Sequence, residues 1–299
     1  MKKLLVAVSA LLAASVACAQ APDTLKKIKD SGAVTMGVRE GSGALSYMLG
    51  TGKYVGFHVE LCQRVLADVQ KSLGLAKLDI KYQQVSPRNR IVMLQNGRVD
   101  IECGSTTNNL SRQRDAAFAI TTYVEEVRIA VKASSGITSI AELNGRNVAT
   151  TLGSTSVRLL RMHERARGID FKEVFGKSHG DSFVLLETGR ADAFVMDGQV
   201  LAGLIARAKK PADYRIVGEV LAVEPIAIML RKDDPAFKKA VDDSLKSMIQ
   251  RGELAKAYDK WFTQPAAPRN INLGLPASDA TLAAWAQPND RPAEQYTQK

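Results

Sequence analysis

The side chains of this sequence that could bind or react with a ligand lie at the ends of predicted strands and helices. They are Arg39, Arg90, Arg112, His179 and Asp197. The arginine guanidinium presents a planar fork of N–H donors that matches a carboxylate, which the lysine ammonium does not. An aspartate carboxylate, in turn, accepts hydrogen bonds from an ammonium group. Three arginines and one aspartate therefore predict a small ligand with two anionic groups and one cationic group.

A run of small polar side chains, ECGSTTNN at 102–109, follows RVDI, which has the pattern of a short buried strand. Serine, threonine and asparagine favour turns, so one interpretation of the run is a solvated turn. The other is a group of hydrogen-bond donors at a strand end, where α/β proteins bind ligands. Arg112 lies just beyond the run, after Ser111, which we predict to be a helix N-cap.

Motifs of nucleotide-binding and hydrolytic enzymes are incomplete. FGKS at 175–178 lacks the leading glycine of a phosphate loop, and GSGALS lacks the third glycine of a dinucleotide fingerprint. HGDS at 179–182 holds His, Asp and Ser too close in sequence to converge as a catalytic triad. None of the three histidines has a second ligand at metal spacing. We therefore expect neither a metal nor a cofactor.

The elements that position these residues alternate between strand and helix, which predicts an α/β fold with parallel sheets. GAVTMGV (32–38) and LDIKYQQV (78–85) are predicted strands, and the segment 56–74 is a predicted helix with apolar residues at i+4 steps. LQNGRVD at 94–100 and LETGRAD at 186–192 share one pattern. Five residues beyond each aspartate come Ser105 and Asp197, so the repeat predicts two lobes that each deliver a polar residue to a cleft.

The N-terminus has the composition of a secretory signal peptide, with Lys2 and Lys3, an apolar run and ACA at 17–19. We predict a signal peptide at 1–19, cleaved after Ala19, with lipidation of Cys18 as the less favoured alternative. The formal net charge of +10 is spread among acidic residues without a basic run, so we expect no nucleic-acid binding. Cys62 and Cys103 remain after cleavage, and either a disulfide or two buried thiols fits an oxidising compartment. The tail from Pro265 is rich in proline and polar residues and predicts partial disorder.

Four long signatures, ECGSTTNN, KSHGDSF, LETGRADAFVMD and MLRKDDPAFKK, resemble the periplasmic glutamate/aspartate-binding proteins of bacterial ABC transporters, from about Leu25 to about Pro288. The resemblance implies a two-lobed type II periplasmic binding protein, with two hinge-crossing strands and the ligand cleft between the lobes. It places the first lobe at 22–124 and at 225–299 with the C-terminal tail, and the second lobe at 125–224. It implies a monomer in the periplasm that captures an acidic amino acid, delivers it to an ABC permease in the inner membrane and is not an enzyme.

The same resemblance assigns roles to individual residues. Arg112, with Ser105 and Thr107, would bind the α-carboxylate, and Asp197 would accept the α-ammonium group. The side-chain carboxylate would be held by Arg39, Arg90 and His179, with contributions from Thr151 and Ser154.

Three positions depart from the pattern of these proteins. Pro87 stands where Ser or Thr is usual and removes a side-chain carboxylate contact unless Ser86 replaces it. Ile226 stands where a tyrosine is common, and Gly198 replaces a second aspartate. These departures leave another dicarboxylate or polar amino acid open as the ligand. Two further alternatives are a dehydratase-type enzyme on the same scaffold, using Glu40 or His179, and a sensory module that feeds no permease.

Overall fold

The computed structural model describes residues 23–50, 52–266, 270 and 272–296. The predicted signal peptide lies outside these residues. The strands in chain order are β1 (Ala33–Val38), β2 (Gly41–Ser42), β3 (Ser46–Leu49), β4 (Lys53–Val55), β5 (Asp79–Gln84), β6 (Ile101–Glu102), β7 (Ala116–Phe118), β8 (Tyr123–Lys132), β9 (Asn147–Thr151), β10 (Lys172–Gly176), β11 (Ala193–Asp197), β12 (Tyr214–Ile226) and β13 (Met229–Arg231).

The α-helices in chain order are α1 (Thr24–Ser31), α2 (Phe57–Ser72), α3 (Arg90–Gln95), α4 (Leu110–Gln113), α5 (Ser156–Arg167), α6 (His179–Glu187), α7 (Gly198–Arg207), α8 (Pro235–Gln250), α9 (Glu253–Phe262) and α10 (Asp279–Ala286). Among the residues that the structure describes, no helix is long and apolar enough to cross a membrane.

Two five-stranded sheets define two lobes. The first has the order β5-β1-β6-β13-β7 and the second has the order β10-β9-β11-β8-β12. Helices α2, α8 and α9 pack on one face of the first sheet, and α5, α6 and α7 cover the second. Each lobe has its own buried apolar core, so the prediction of two α/β lobes is confirmed.

The long antiparallel pair β8 and β12 connects the lobes. Residues 123–127 pair with residues 222–226, and a register shift separates this part from the pairing of 129–132 with 214–217 inside the second sheet. The two strands thus cross between the lobes side by side. A hinge of two strands lets the lobes move relative to each other while each lobe stays rigid.

The C-terminal segment is ordered between residues 272 and 296, so the prediction of disorder from Pro265 is wrong for this part. Trp285 Nε1 donates to the Thr122 carbonyl at 2.9 Å, and the Thr281 hydroxyl accepts from the Val124 N–H at 3.1 Å. The segment therefore lies against β8 at the hinge, where it supplies partners for backbone groups that would otherwise be unpaired.

Cys62 on α2 and Cys103, directly after β6, form a disulfide. Their sulfur atoms are 2.01 Å apart. The bridge ties α2 to the polar run 102–109, which contains Cys103.

Candidate functional site

Each lobe contributes the carboxyl ends of three mutually parallel strands to the space between the lobes. In the first lobe these are β5, β1 and β6, and in the second they are β10, β9 and β11. The chain leaves each strand there and enters a loop or a helix. Side chains just beyond six strand ends thus converge on one region, as expected for ligand sites of α/β proteins.

A small cavity occupies this region. Eight of the nine predicted binding residues line it, and Pro87, Thr155 and Met196 complete the lining. The eight are Arg39, Arg90, Ser105, Thr107, Arg112, Ser154, His179 and Asp197. Thr151 does not line the cavity; its hydroxyl lies 3.0 Å from Nδ1 of His179 and supports that ring from behind. Ser105 and Asp197, the two positions related by the repeat, therefore line the same cavity.

Arg39 is already paired with a carboxylate. Its Nη1 lies 3.6 Å from Oε1 of Glu102, a fully buried residue at the end of β6. Burial lowers the pKa of Arg39, and Glu102 opposes this shift. Thr106 donates to the same glutamate at 2.8 Å. Glu102 therefore fixes Arg39 and neutralises its charge.

His179 is neutral in this arrangement. Burial, followed by the nearby charges of Arg39 and Arg90, holds the pKa of its ring well below the ordinary value. Nη2 of Arg39 lies 3.4 Å from Nε2, and because guanidinium groups only donate, Nε2 is the acceptor. Nδ1 then carries the proton and donates to Thr151. His179 thus orients Arg39 in this structure.

Arg90 and Arg112 contact backbone carbonyls instead of carboxylates. Arg90, only 2% exposed, donates to the carbonyls of Pro87 and, at 3.5 Å, Gly153, and its Nε has no partner among the described residues. Arg112 donates to Thr107 at 2.9 Å and to Gly153 at 3.2 Å. Within the described parts of the chain, Arg39 is the one arginine of the three with a carboxylate oxygen within 4.0 Å. Arg90 and Arg112 therefore have no direct ion-pair partner among the described residues of the cavity.

Desolvation is the first cause that lowers the pKa of both arginines. For Arg90 the next causes are the positive charges of Arg112 and Arg39, whereas for Arg112 the next causes are the charges of Glu224, Asp197 and Glu102, which oppose the shift. A buried cation close to other cations is unfavourable unless an anion joins it. The electrostatics around Arg90 thus favour an incoming anion.

Asp197 ends β11 and precedes α7, yet its side chain makes no capping hydrogen bond. It is 1% exposed, and its Oδ1 has no partner within the described residues. Burial, and then the charge of Glu224, raises the pKa of this carboxyl to about 8, against the opposing effect of the arginines. Burial and Asp197 likewise raise the pKa of Glu125 on β8. An ammonium group beside Asp197 would form an ion pair with the carboxylate and so offset the cost of its desolvation.

The polar run 102–109 divides into two sets of side chains. Ser105 and Thr107 line the cavity, whereas Asn108 donates from Nδ2 to the carbonyl of Asp290 in the C-terminal segment at 2.8 Å. The prediction that Ser111 caps the following helix is wrong. Asn109 is the cap, because its Oδ1 accepts from the Arg112 N–H at 2.9 Å, and Ser111 lies inside α4.

The three departures from the family pattern have different surroundings. Pro87 lines the cavity, while Ser86 is not among the lining residues and its hydroxyl accepts from the Asn89 N–H. Ile226 is fully buried in the core of the first lobe. Gly198 begins α7 beside the backbone of Glu126, where a Cβ atom would approach the Glu126 carbonyl oxygen to 3.1 Å.

Sequence reasoning missed four residues of the site: Glu102, Glu224, Thr155 and Met196. Glu102 is the first residue of the polar run 102–109. It could have been predicted as a site residue because it is charged and directly follows Ile101 of the predicted buried strand. Glu224, on the hinge strand β12, and Thr155, before α5, are in contact, and Thr155 donates to Glu224 at 2.9 Å. No local pattern predicts a contact between residues so far apart. In the described residues, no group of three or more His, Cys, Asp or Glu side chains could hold a metal ion.

Comparison with known proteins adds information on ancestry. Residues 34–264 match the sequence profile of the bacterial extracellular solute-binding proteins, family 3. The chain is 43% identical to an L-glutamate/L-aspartate-binding protein of Pseudomonas aeruginosa over 96% of both chains. It is 41% identical to a glutamate/aspartate import solute-binding protein of Escherichia coli K12, covering 94% of this chain and 95% of that protein.

Solved structures share the fold. The P235GK mutant of ArgBP from T. maritima superposes with a TM-score of 0.70 at 23% identity, covering 79% of this chain and 98% of that one. An ancestral arginine-binding protein bound to arginine superposes with a TM-score of 0.68 at 27% identity, covering 77% and 98%. The two-lobed architecture with a cleft between the lobes is therefore that of these binding proteins.

Proposed function

Because the chain belongs to the bacterial extracellular solute-binding proteins of family 3, we propose that it captures an acidic L-amino acid by cleft closure and delivers it to an ABC permease. The ligand is glutamate or aspartate. The protein acts in the periplasm as a monomer, after cleavage of the signal peptide behind Ala19. It binds its ligand without transforming it.

One observation carries the choice of ligand. Two guanidinium groups, on Arg90 and Arg112, and one carboxylate, on Asp197, have no ionic partner among the described residues of the cavity. An acidic amino acid has two carboxylates and one ammonium group. Each unpaired group of the site thus has one counterpart on the ligand, and the names of the two relatives at 41–43% identity agree with this assignment.

The resemblance to the glutamate/aspartate-binding proteins supports the following roles. Arg112 binds the α-carboxylate with Ser105, and Asp197 accepts from the α-ammonium group. Arg90 binds the side-chain carboxylate, Arg39 and His179 assist it, and Ser154 and Thr151 support this end from the second lobe. Closure strengthens the ion pairs because it excludes water, although each group must first be desolvated.

The alternatives differ in what they leave unpaired. A dicarboxylate without an amino group would leave Asp197 buried without an ionic partner. A neutral polar amino acid would leave Arg90 buried without an ionic partner. A dehydratase needs a positioned acid or base, and His179, held neutral and used to orient Arg39, is a poor candidate.

Ligand specificity tests the proposal directly. L-Glutamate and L-aspartate should raise the midpoint of thermal unfolding, because a ligand that binds only the native state stabilises it. In calorimetry L-glutamine and L-asparagine should bind at least about 100-fold more weakly, since an unpaired buried charge costs roughly 3–5 kcal/mol. Equal affinity for acids and amides would refute the acidic ligand, and turnover of any of them would revive the enzyme.

A further inference from the structure

Glu224 lies on the hinge strand β12 and joins residues from both lobes. Its Oε2 accepts a hydrogen bond of 2.6 Å from the hydroxyl of Thr107 and one of 2.9 Å from the hydroxyl of Thr155. Thr107 belongs to the polar run of the first lobe, and Thr155 precedes α5 in the second. Both threonines line the cavity, whereas Glu224 lies behind them and is 6% exposed.

These two bonds fix the direction of the threonine protons. A carboxylate can only accept hydrogen bonds, so each hydroxyl proton points towards Glu224. Each threonine oxygen then has only lone pairs left for the cavity. A hydroxyl that could either donate or accept is thereby converted into an acceptor.

The backbone around Thr155 supports this interpretation. Thr155 precedes α5 with helical backbone angles (φ −68°, ψ −26°), so its hydroxyl makes no capping bond to the helix. Its hydroxyl bonds to Glu224 instead. Ser154, beside it, donates to the Thr151 carbonyl at 2.7 Å.

Thr107 uses its two polar groups for different purposes. Its carbonyl accepts from Arg112 at 2.9 Å and so holds a group that attracts carboxylates. Its hydroxyl oxygen has only lone pairs left, so within the cavity that Thr107 lines it would repel a carboxylate oxygen and attract an N–H donor. The resemblance had assigned this hydroxyl to the α-carboxylate.

We propose that Glu224 is a positioning residue that makes the cavity select α-amino dicarboxylates over plain dicarboxylates. It turns Thr107 and Thr155 into acceptors which, together with Asp197, receive the protons of the ligand ammonium group. Because one carboxylate holds a threonine from each lobe, the acceptors are complete only when the cleft is closed. This inference rests on the proposed function and narrows its ligand class.

Glu224→Leu tests the inference with two ligands. Leucine offers no acceptor to either threonine, so both hydroxyl protons can turn into the cavity. Glu224→Gln is the control for the lost charge, because its amide oxygen can take the place of Oε2 and accept from both threonines, so its effect should be smaller. L-Glutamate and glutarate share chain length and both carboxylates, but glutarate has no ammonium group. Calorimetry, with glutarate measured by competition where its binding is weak, gives the affinity ratio of the two.

We expect Glu224→Leu to weaken L-glutamate binding by roughly 10- to 100-fold, the usual effect of a lost hydrogen bond to a charged group, while glutarate binding changes by less than about threefold. The ratio of the two affinities therefore falls. An equal loss for both ligands, or an unchanged ratio, would overturn the inference. Failure of the wild-type protein to bind any acidic amino acid would instead refute the proposed function.

Two further variants separate positioning from folding. Thr155→Val removes one acceptor but keeps Glu224 and its bond to Thr107, so it should lower the ratio by a smaller factor even if Glu224→Leu does not fold. Glu126→Gln is the matched control, because Glu126 lies on the neighbouring hinge strand with a side chain 46% exposed and pairs with Arg128. It should leave both affinities unchanged; a similar drop in the ratio would show that any change at the hinge suffices and would overturn the inference.

Discussion

The Nη2 atom of Arg112 in the first lobe lies 3.2 Å from the carbonyl oxygen of Gly153 in the second lobe and donates a hydrogen bond to it. The same carbonyl accepts from Arg90 at 3.5 Å. The two arginines that lack a carboxylate partner are thus held across the cleft by one backbone group. This contact can exist only while the lobes are close together, so the structure represents a closed arrangement of the cleft.

Gly153→Ala should prevent closure. A Cβ atom at position 153 would lie 2.6 Å from the carbonyl oxygen of Pro87, and this neighbour is backbone that cannot move aside cheaply. We expect the affinity for L-glutamate to fall by at least about tenfold, the equivalent of roughly 1.4 kcal/mol. Calorimetry measures the loss, and small-angle scattering with ligand shows whether the protein still becomes compact.

Gly145→Ala is the matched control for that variant. Gly145 lies in the same lobe with φ +72°, close to the φ of +84° at Gly153, but no atom would lie within 4 Å of its Cβ. Both variants should lose about 1 kcal/mol of stability from backbone strain. Only Gly153→Ala should lose affinity, and equal affinity losses would show that strain, not closure, is responsible.

Arg112→Ala and Arg90→Ala should differ in which ligands they affect. Every amino acid has an α-carboxylate, so the loss of Arg112 should abolish binding of all of them. The loss of Arg90 should weaken L-glutamate binding by roughly 100-fold or more, in line with a broken buried pair, but should spare L-glutamine. Calorimetry of both ligands with both variants distinguishes the two effects, and parallel losses in Arg90→Ala would contradict the division of roles.

The sequence predicts the residues that line the cavity better than the residues that lie behind them and hold them in place. Residues directly after strands could be found, because strand ends are recognisable from local pattern, and the repeat related Ser105 to Asp197. The bond between Thr107 and Glu224 joins positions 117 residues apart, and no local pattern encodes it. The packing of the tail could not be predicted for a similar reason. Its composition predicts partial disorder, but Trp285 and Thr281 hydrogen-bond to the backbone of Thr122 and Val124, and only the folded chain brings these groups together.

Closure of the empty protein should depend on pH between about 6.5 and 8. Burial in the closed cleft raises the pKa of Asp197 from 3.8 to about 8, so closing takes up a proton between these values. Below the ordinary pKa of His179, 6.5, closing also requires that ring to lose a proton, which opposes the effect of Asp197. Between pH 6.5 and 8 Asp197 contributes together with Glu125, whose pKa is raised by burial and by Asp197, and closure should weaken as the pH rises.

Asp197→Asn isolates this effect. The amide imitates the protonated carboxyl, so the empty variant should stay more compact than the wild type at pH 8 in small-angle scattering. Its affinity for L-glutamate should nevertheless fall, because the ammonium group loses its anionic partner. A variant that is less compact than the wild type at pH 8 would contradict the assigned protonation.

The disulfide should stabilise the first lobe without setting the affinity. Cys62 and Cys103 are 41 residues apart, a loop for which the loss of a crosslink costs about 4 kcal/mol of unfolding free energy. Gly104, next to Cys103, is also held by His58, whose Nδ1 bonds to its carbonyl, so the polar run keeps a second attachment. The double variant Cys62→Ala/Cys103→Ala should therefore unfold at lower urea concentration but bind L-glutamate within about threefold of the wild type, since a retained hydrogen bond limits the change. Reductant should destabilise the wild type and leave the double variant unaffected, and a large loss of affinity in the folded variant would show that the bridge itself positions Ser105 and Thr107.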